Sequence, residues 1–289
     1  VDRDLLIIPN LAIHMSRSSK DSKALNPQKD LLPLCGGDLS KDGFEEMIAK
    51  EAGVKKEDIL SYDLFLYNRM KGTTLGINVE FVAAPKLDDL ECAYSSIEGM
   101  LNAKLSEDYV TMCTVFDNEE VGSGTKQGAG STFFPEVLKR ISYLSGKNEE
   151  EYYMAVADSF MLSADNAHAV HPNYQDKTDP TNRPYINEGI VLKYNASQKY
   201  TTDANSAALV KYLCKKEKIN CQVFFNRSDM LGGSTLGNIL TGQVSIKAAD
   251  IGLPQLSMHS TYETAGCKDL DDMITLMRSF YEIGKEVQI

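Results

Sequence analysis

The sequence lacks the features that would place the chain in a membrane or on nucleic acid. No apolar run approaches the roughly 18 residues that a membrane span needs. Basic residues are outnumbered, 30 against 41 acidic ones, which gives a formal net charge of −11. Because phosphate binding depends on clustered lysine and arginine, this balance argues against a nucleic-acid or anionic-membrane partner. The six cysteines form no C-x-x-C pair, which predicts reduced thiols in a cytoplasmic protein.

The start of the sequence lacks an initiator methionine and a charged-then-apolar leader. The chain opens on Val1 and runs almost at once into a strand-like segment, so we expect that an N-terminal piece precedes it. The 289 residues, 43% of them hydrophobic, suffice for one large domain or two smaller ones.

Two regions of the sequence differ in their pattern of apolar and polar residues. Residues 1–77 hold strand-like runs at 5–8 and 64–67, a helix candidate at 44–51 and a polar stretch at 16–30 that predicts a loop. From residue 78 onward, strand and helix patterns alternate, which predicts an α/β sandwich with a mainly parallel sheet. The strands are expected at 78–84, 109–116, 186–193, 221–225, 244–248 and just before His259, and the helices at 89–103, 131–144, 149–162, 204–218 and 270–283.

Polar clusters follow the ends of several of these elements. Since ligands bind at the carboxyl ends of strands in such sheets, the clusters are expected to meet at one edge. Three of the four histidines lie in them. The members are Asp88 and Asp89, Glu119 and Glu120, the segment with Asp165, His168 and His171, and His259.

Converging carboxylates repel one another unless a cation is present, and carboxylate with imidazole suits zinc. Two metals would need about five or six ligands and one free carboxylate as base. In a Glu-Glu pair, one carboxylate ligates and its neighbour activates the water. Each cluster alone is more typical of a helix cap, a solvated turn or a packed histidine, so the metal hypothesis depends on their coincidence.

The glycine-rich turn at 122–130 suggests a rival function, phosphate binding. The spacing does not fit, because Lys126 precedes Gly128 and the third glycine comes one residue late for a dinucleotide fingerprint. Glu119 and Glu120 would also repel a phosphate.

Several blocks resemble the signature blocks of the aspartyl aminopeptidase and vacuolar aminopeptidase I family of dinuclear zinc exopeptidases. The resemblance covers essentially the whole chain. It implies a three-layer α/β sandwich of the zinc exopeptidase type at 78–289 and a smaller β-rich dimerisation domain at 1–77. The blocks are DNEEVGS (117–123), SADNAHAVHPNY (163–174), GGSTLG (232–237), MHS (258–260), IPNLAIHM (8–15) and LNPQK (25–29).

The resemblance also implies metal ligands and a base. Asp88 would bridge two divalent ions, most often Zn²⁺, with Mn²⁺ or Co²⁺ as alternatives. Glu120 and His259 would complete one site with Asp88, and Asp165 would ligate the other ion. Glu119 would be the general base that takes a proton from the metal-activated water and passes it to the leaving amine.

Four further positions match substrate-contacting residues of that family: His14, His168, Lys193 and Tyr200. His168 would hold the substrate or stabilise the oxyanion, and His14 would reach a neighbouring subunit's active site. The family assembles from dimers into dodecamers. Because of the lysine at position 193, we expect a slight preference for acidic N-terminal residues, with neutral ones such as leucine as the alternative.

The sequence departs from the family pattern in one respect. The family's first metal ligand is a histidine in an upstream Ser-His-x-Asp-Ser-Pro block, which this sequence does not contain. The site of Asp88 and Asp165 therefore lacks one ligand. The expected function is a metalloaminopeptidase acting on peptides; the alternative is a non-catalytic assembly or binding protein that retains the fold and one metal site.

Overall fold

The computed structural model describes residues 1–16, 25–37, 41–230 and 232–284. Contacts divide the chain into two compact units, Val1–Arg69 and Met70–Ile289. The boundary drawn at residue 77 falls inside the second unit, and the role of the first domain in oligomerisation stays a prediction. Among the described residues, no helix is both long enough and apolar enough to cross a bilayer.

The unit Val1–Arg69, expected to be β-rich, holds helices in its described part. These are α1 (Ile13–Ser16), α2 (Pro27–Asp30) and α3 (Lys41–Ala52). The strands predicted at 5–8 and 64–67 do not form ladders; one isolated bridge joins Ile7 to Leu34. A run with no neighbouring strand to pair with has too few hydrogen bonds to make a sheet. Most of the polar stretch predicted as a loop, residues 17–24, lies outside the described residues, and part of the remainder is α2.

Strands and helices alternate through the second unit, and the predicted α/β class is confirmed. In chain order the elements are β1 (Thr73–Leu75), β2 (Phe81–Ala84), α4 (Leu87–Leu101), α5 (Phe133–Leu144), α6 (Glu149–Asp158), β3 (Phe160–Ala164), β4 (Ala167–His168), β5 (Ile190–Tyr194), α7 (Ala204–Glu217), β6 (Cys221–Phe225), α8 (Leu236–Thr241), β7 (Lys247–Gly252), β8 (Pro254–Leu256), β9 (Glu263–Gly266) and α9 (Cys267–Tyr281).

These strands form two mixed sheets. The four-stranded sheet has the order β3-β7-β5-β6, with β3 parallel to β7, β5 parallel to β6, and β5 antiparallel to β7. The five-stranded sheet has the order β1-β2-β9-β8-β4, and its pairs are antiparallel except β4 with β8. Only Leu253 separates β7 from β8, so the chain passes directly from one sheet to the other.

Helices pack against both faces of the four-stranded sheet, because side chains of a strand alternate between faces. Along β3, Phe160 and Leu162 pack on the core cluster of α4, α7 and α9, whereas Met161 packs on the cluster of α5, α6 and α8. In β5, Ile190 and Leu192 are fully buried in the first cluster. The sheet is therefore the middle of the hydrophobic core.

In the second unit, two predicted elements were wrong. Residues 109–116 form no strand, because their backbone meets no strand partner in the described chain, although Met112 and Phe116 still pack into the core. The helix predicted at 149–162 ends at Asp158, and the apolar run after it forms β3 by parallel pairing with β7. Asp165 therefore follows a strand rather than a helix.

Candidate metal centre

Asp88 lies where the chain passes from β2 into α4. Lys86 adopts a left-handed conformation with φ 61°, which turns the chain between the strand and the helix. Asp88 and Asp89 keep non-helical backbone angles in the first turn of α4. The Asp88 side chain is only 5% exposed, so its carboxylate is held at the edge of the core.

The first group of potential ligands comprises Asp88, Glu120 and His259. The His259 Nε2 atom lies 3.1 Å from Asp88 Oδ2 and 3.1 Å from Glu120 Oε2. Glu120 comes from a short 3₁₀ turn, Glu119–Val121. The three ligand atoms lie within 4.8 Å of one another, close enough to hold a single ion. Glu120 and His259 are more than half exposed, so this group opens to solvent.

The second group comprises Asp88, Asp89 and Asp165, whose carboxylate oxygens also lie within 4.8 Å of one another. Asp88 belongs to both groups, as a bridging ligand would. The second group holds carboxylates alone. The roles of the individual residues stay predictions.

The crowded carboxylates shift one another's pKa values. Burial, followed by the charges of Asp165 and Glu120, raises the pKa of Asp88 to about 8. The pKa of Asp89 is raised well above its usual range, chiefly by burial and then by Asp165. Burial and the same neighbours also raise the pKa of Glu119. In each case burial is the largest cause, and the neighbouring negative charges add to it.

The residues present fit a divalent cation. Asp88 Oδ1 and Asp89 Oδ1 are buried and accept no hydrogen bond from the described residues, which is costly unless a cation or another donor contacts them. Carboxylate oxygens with one imidazole nitrogen form a donor set that suits zinc, and the carboxylate-only group suits harder ions as well.

Among the described residues, Lys193 is the one buried cation beside these carboxylates. Its side chain is 2% exposed, and its Nζ donates to Asp165 O at 2.7 Å, Asp165 Oδ2 at 3.2 Å and Asn166 O at 3.0 Å. Burial opposes this charge, but Asp165 and the other neighbouring groups outweigh burial and raise the lysine pKa. Lys193 thus holds Asp165 in place, and its expected contact with the substrate stays a prediction.

Comparison with known proteins agrees with this chemistry. The profile of the family described as "Aminopeptidase I zinc metalloprotease (M18)" matches residues 1–281. A probable M18 family aminopeptidase 2 of Clostridium acetobutylicum is 44% identical over 289 residues, covering 98% of this chain and 66% of its own length. One of Pseudomonas aeruginosa is 37% identical and covers 96% and 65%. The chain belongs to the M18 family.

Solved structures carry the same fold. A structure titled as the Ape4 and Nbr1 complex has a TM-score of 0.88 at 34% identity and covers 98% of this chain and 58% of its own. A Saccharomyces cerevisiae structure titled as the mApe1 dodecamer has a TM-score of 0.71 at 31% identity, covering 83% and 54%. The chain thus spans about two thirds or less of the M18 proteins that it matches. The family resemblance drawn from the sequence is confirmed.

The other residues predicted to contact the substrate fall into two places. Tyr200 is buried, and its ring centroid lies 5.2 Å from Lys193 Nζ. His168 packs beside Phe224, which also contacts Tyr200, so these side chains form one wall beside Asp165. Desolvation by the surrounding protein is the main cause that lowers the pKa of His168, and the positive charge of Lys193 is the next. Part of the residue is still open to solvent. His14 is exposed in the unit Val1–Arg69, and its predicted role is untested.

The glycine-rich turn has a structural explanation within this M18 chain. Ser123 is 1% exposed, and its carbonyl accepts the Gly130 N–H at 2.9 Å. A Cβ at Gly128 would lie 2.3 Å from that carbonyl oxygen, so only glycine fits there. The glycines let the turn pack tightly and thereby place Glu119 and Glu120.

Sequence reasoning missed three residues of this site. Asp89 was placed in a polar cluster but was given no ligand role, yet its carboxylate joins the second group. The Glu263 carboxylate accepts hydrogen bonds from the backbone N–H groups of Asp88 and His259. Asn166 Nδ2 donates to Leu87 O at 3.1 Å and to Gln255 Oε1 at 3.0 Å. The available signals were the Asp-Asp doublet and the place of Asn166 directly after Asp165.

Proposed function

We propose that this chain forms most of the catalytic domain of a metal-dependent aminopeptidase that releases single N-terminal residues from peptides. The observation that carries the proposal is the convergence of Asp88, Glu120 and His259 on one point, with Asp165 and Glu119 close by. Family membership supports the reaction class.

Each residue has a proposed part. Asp88, Glu120 and His259 hold one zinc ion, and Asp88 and Asp165 contribute to a second. When bound, zinc polarises the scissile carbonyl and lowers the pKa of water toward neutrality. Glu119 accepts the proton of the attacking water and delivers it to the leaving amine, and its raised pKa makes it a stronger base than an ordinary glutamate.

The test of this assignment is Glu119→Gln. Because Glu119 is not among the ligand groups, the variant should keep the zinc of the wild-type chain while turnover falls about 10²–10⁴-fold. Glu150→Gln, an exposed glutamate in the first turn of α6, is the matched control and should leave turnover unchanged. Full turnover in Glu119→Gln would refute the assignment.

The substrate preference is proposed to lean toward acidic N-terminal residues. The buried ammonium of Lys193 places positive charge beside Asp165, and Tyr200 and His168 line the same wall. Hydrolysis of aspartyl, glutamyl and leucyl anilides at equal concentrations tests this preference. A clear preference for the leucyl anilide would overturn it.

The protein is further proposed to act as a cytoplasmic homo-oligomer built from dimers up to a dodecamer. A yeast mApe1 structure that is 31% identical to this chain is a dodecamer, which supports such an assembly. Mass measurement in solution tests the assembly. If His14 serves a neighbouring subunit's site, His14→Ala should lower turnover without changing the metal content.

A non-catalytic metal-binding protein is the second candidate function. The observation that favours it is the second ligand group, which holds carboxylates but no imidazole. One zinc per chain with no hydrolysis of any of the three anilides would support this alternative, whereas measurable turnover would exclude it.

A further inference from the structure

Glu263, the first residue of β9, lies directly behind the first ligand group. It is 2% exposed. Its Oε2 accepts the backbone N–H of Asp88 at 2.9 Å, and its Oε1 accepts the backbone N–H of His259 at 2.7 Å. One buried carboxylate therefore ties together two candidate ligands that are far apart in the chain.

Both ligands need such support because their backbones depart from regular structure. His259 has φ 64°, in the left-handed region that costs a non-glycine residue roughly 1–2 kcal/mol. Asp88 sits at the start of α4 with φ −83° and ψ 111°, outside the helical range. Hydrogen bonds from backbone N–H groups to a carboxylate are about twice as strong as neutral ones, so Glu263 stabilises both conformations.

We propose that Glu263 is a positioning residue for the metal centre: it sets the distance between Asp88 and His259 without ligating the ion. This inference rests on the proposed metallopeptidase function. Residues that orient metal ligands typically contribute 10- to 100-fold to metal affinity.

Two substitutions of Glu263 each disturb its pair of hydrogen bonds. One removes the negative charge and the other keeps it. Glu263→Gln offers one acceptor oxygen, and its amide nitrogen would face a backbone donor, so one of the two bonds is lost. Glu263→Asp keeps the charge but is shorter by one methylene and cannot span both N–H groups. Both variants should bind zinc about 10- to 100-fold more weakly than the wild-type chain, measured by competition with a chromogenic chelator.

Asp269 provides the matched control. It is fully buried, and its carboxylate accepts the N–H of Asn187 at 2.6 Å and of Gly189 at 2.8 Å, yet it bonds neither candidate ligand. Asp269→Asn should lower the unfolding temperature but leave zinc affinity within about twofold of the wild type. The absorption spectrum of the cobalt-loaded chain should change in the Glu263 variants and not in the Asp269 variant.

The outcomes are distinguishable. A wild-type chain that binds no zinc would refute the proposed function itself. A wild-type chain that binds zinc, together with a folded Glu263 variant of equal affinity and unchanged cobalt spectrum, would overturn this inference alone. Circular dichroism identifies which Glu263 variant is folded, and the affinity of that variant decides.

Discussion

Zinc binding to this chain should release protons, chiefly from Asp88. Burial and the charges of Asp165 and Glu120 raise the pKa of Asp88 to about 8, so at neutral pH the metal-free chain holds a proton there. A ligating carboxylate must lose that proton when the ion binds. The ion and the proton therefore compete for the same side chain.

The magnitude follows from the pKa. Asp88 should release about 0.9 of a proton at pH 7 and about 0.5 at pH 8, and the apparent zinc affinity should rise about fivefold between these two pH values. The folded-state pKa lies above the ordinary aspartate value of 3.8. The metal-free fold is therefore favoured at low pH and loses stability as the pH rises from about 4 to about 8.

Isothermal titration calorimetry measures this release when zinc is titrated in two buffers with different ionisation enthalpies. His259→Ala, which removes a ligand of the same group, should abolish most of the binding heat and is the control. Zinc binding at pH 7 without proton release, and with an affinity that does not change with pH, would show that Asp88 is already ionised or is not a ligand.

Three further predictions concern the fold, each measured by denaturant unfolding of the metal-free chain. Gly189→Ala should cost at least about 2 kcal/mol, because φ is 92° and a Cβ would lie 2.3 Å from Asn220 O; Gly146→Ala, with φ 73° and open space, should cost only about 1 kcal/mol. Leu213→Ala, at a fully buried site in α7, should cost about 2–5 kcal/mol. Asn148→Ala removes the capping box of α6 and should cost about 1 kcal/mol.

Periodicity predicted most elements of the second unit but could not assign short apolar runs. The strand predicted at 221–225 matches β6 residue for residue, and the helix predicted at 204–218 matches α7 except at its last residue. The run after Asp158 was joined to the preceding helix, because nothing local distinguishes a buried strand from another helical turn. The partner β7 lies far along the chain, so only the tertiary structure decides.

The charged side chains of the candidate site could be predicted from the sequence. The residues that position those side chains could not. Asp88, Glu120 and His259 lie in polar clusters that are visible in the sequence, and the family resemblance singled them out as ligands. Glu263 could not be selected, because its importance lies in two hydrogen bonds to backbone atoms of other segments. The partners of Lys193 could not be predicted for a similar reason: its carbonyl and carboxylate acceptors are visible only in the fold.

The two ligand groups balance their charge in different ways. Asp165 lies against the buried ammonium of Lys193, so the chain itself neutralises part of its charge. Asp88 pairs with the His259 imidazole and, within the described part of the chain, contacts no lysine or arginine side chain. Burial, followed by the charges of Asp165 and Glu120, raises its pKa to about 8, so a proton is held there at neutral pH. A divalent ion bound at the carboxylate that both groups share would replace this proton.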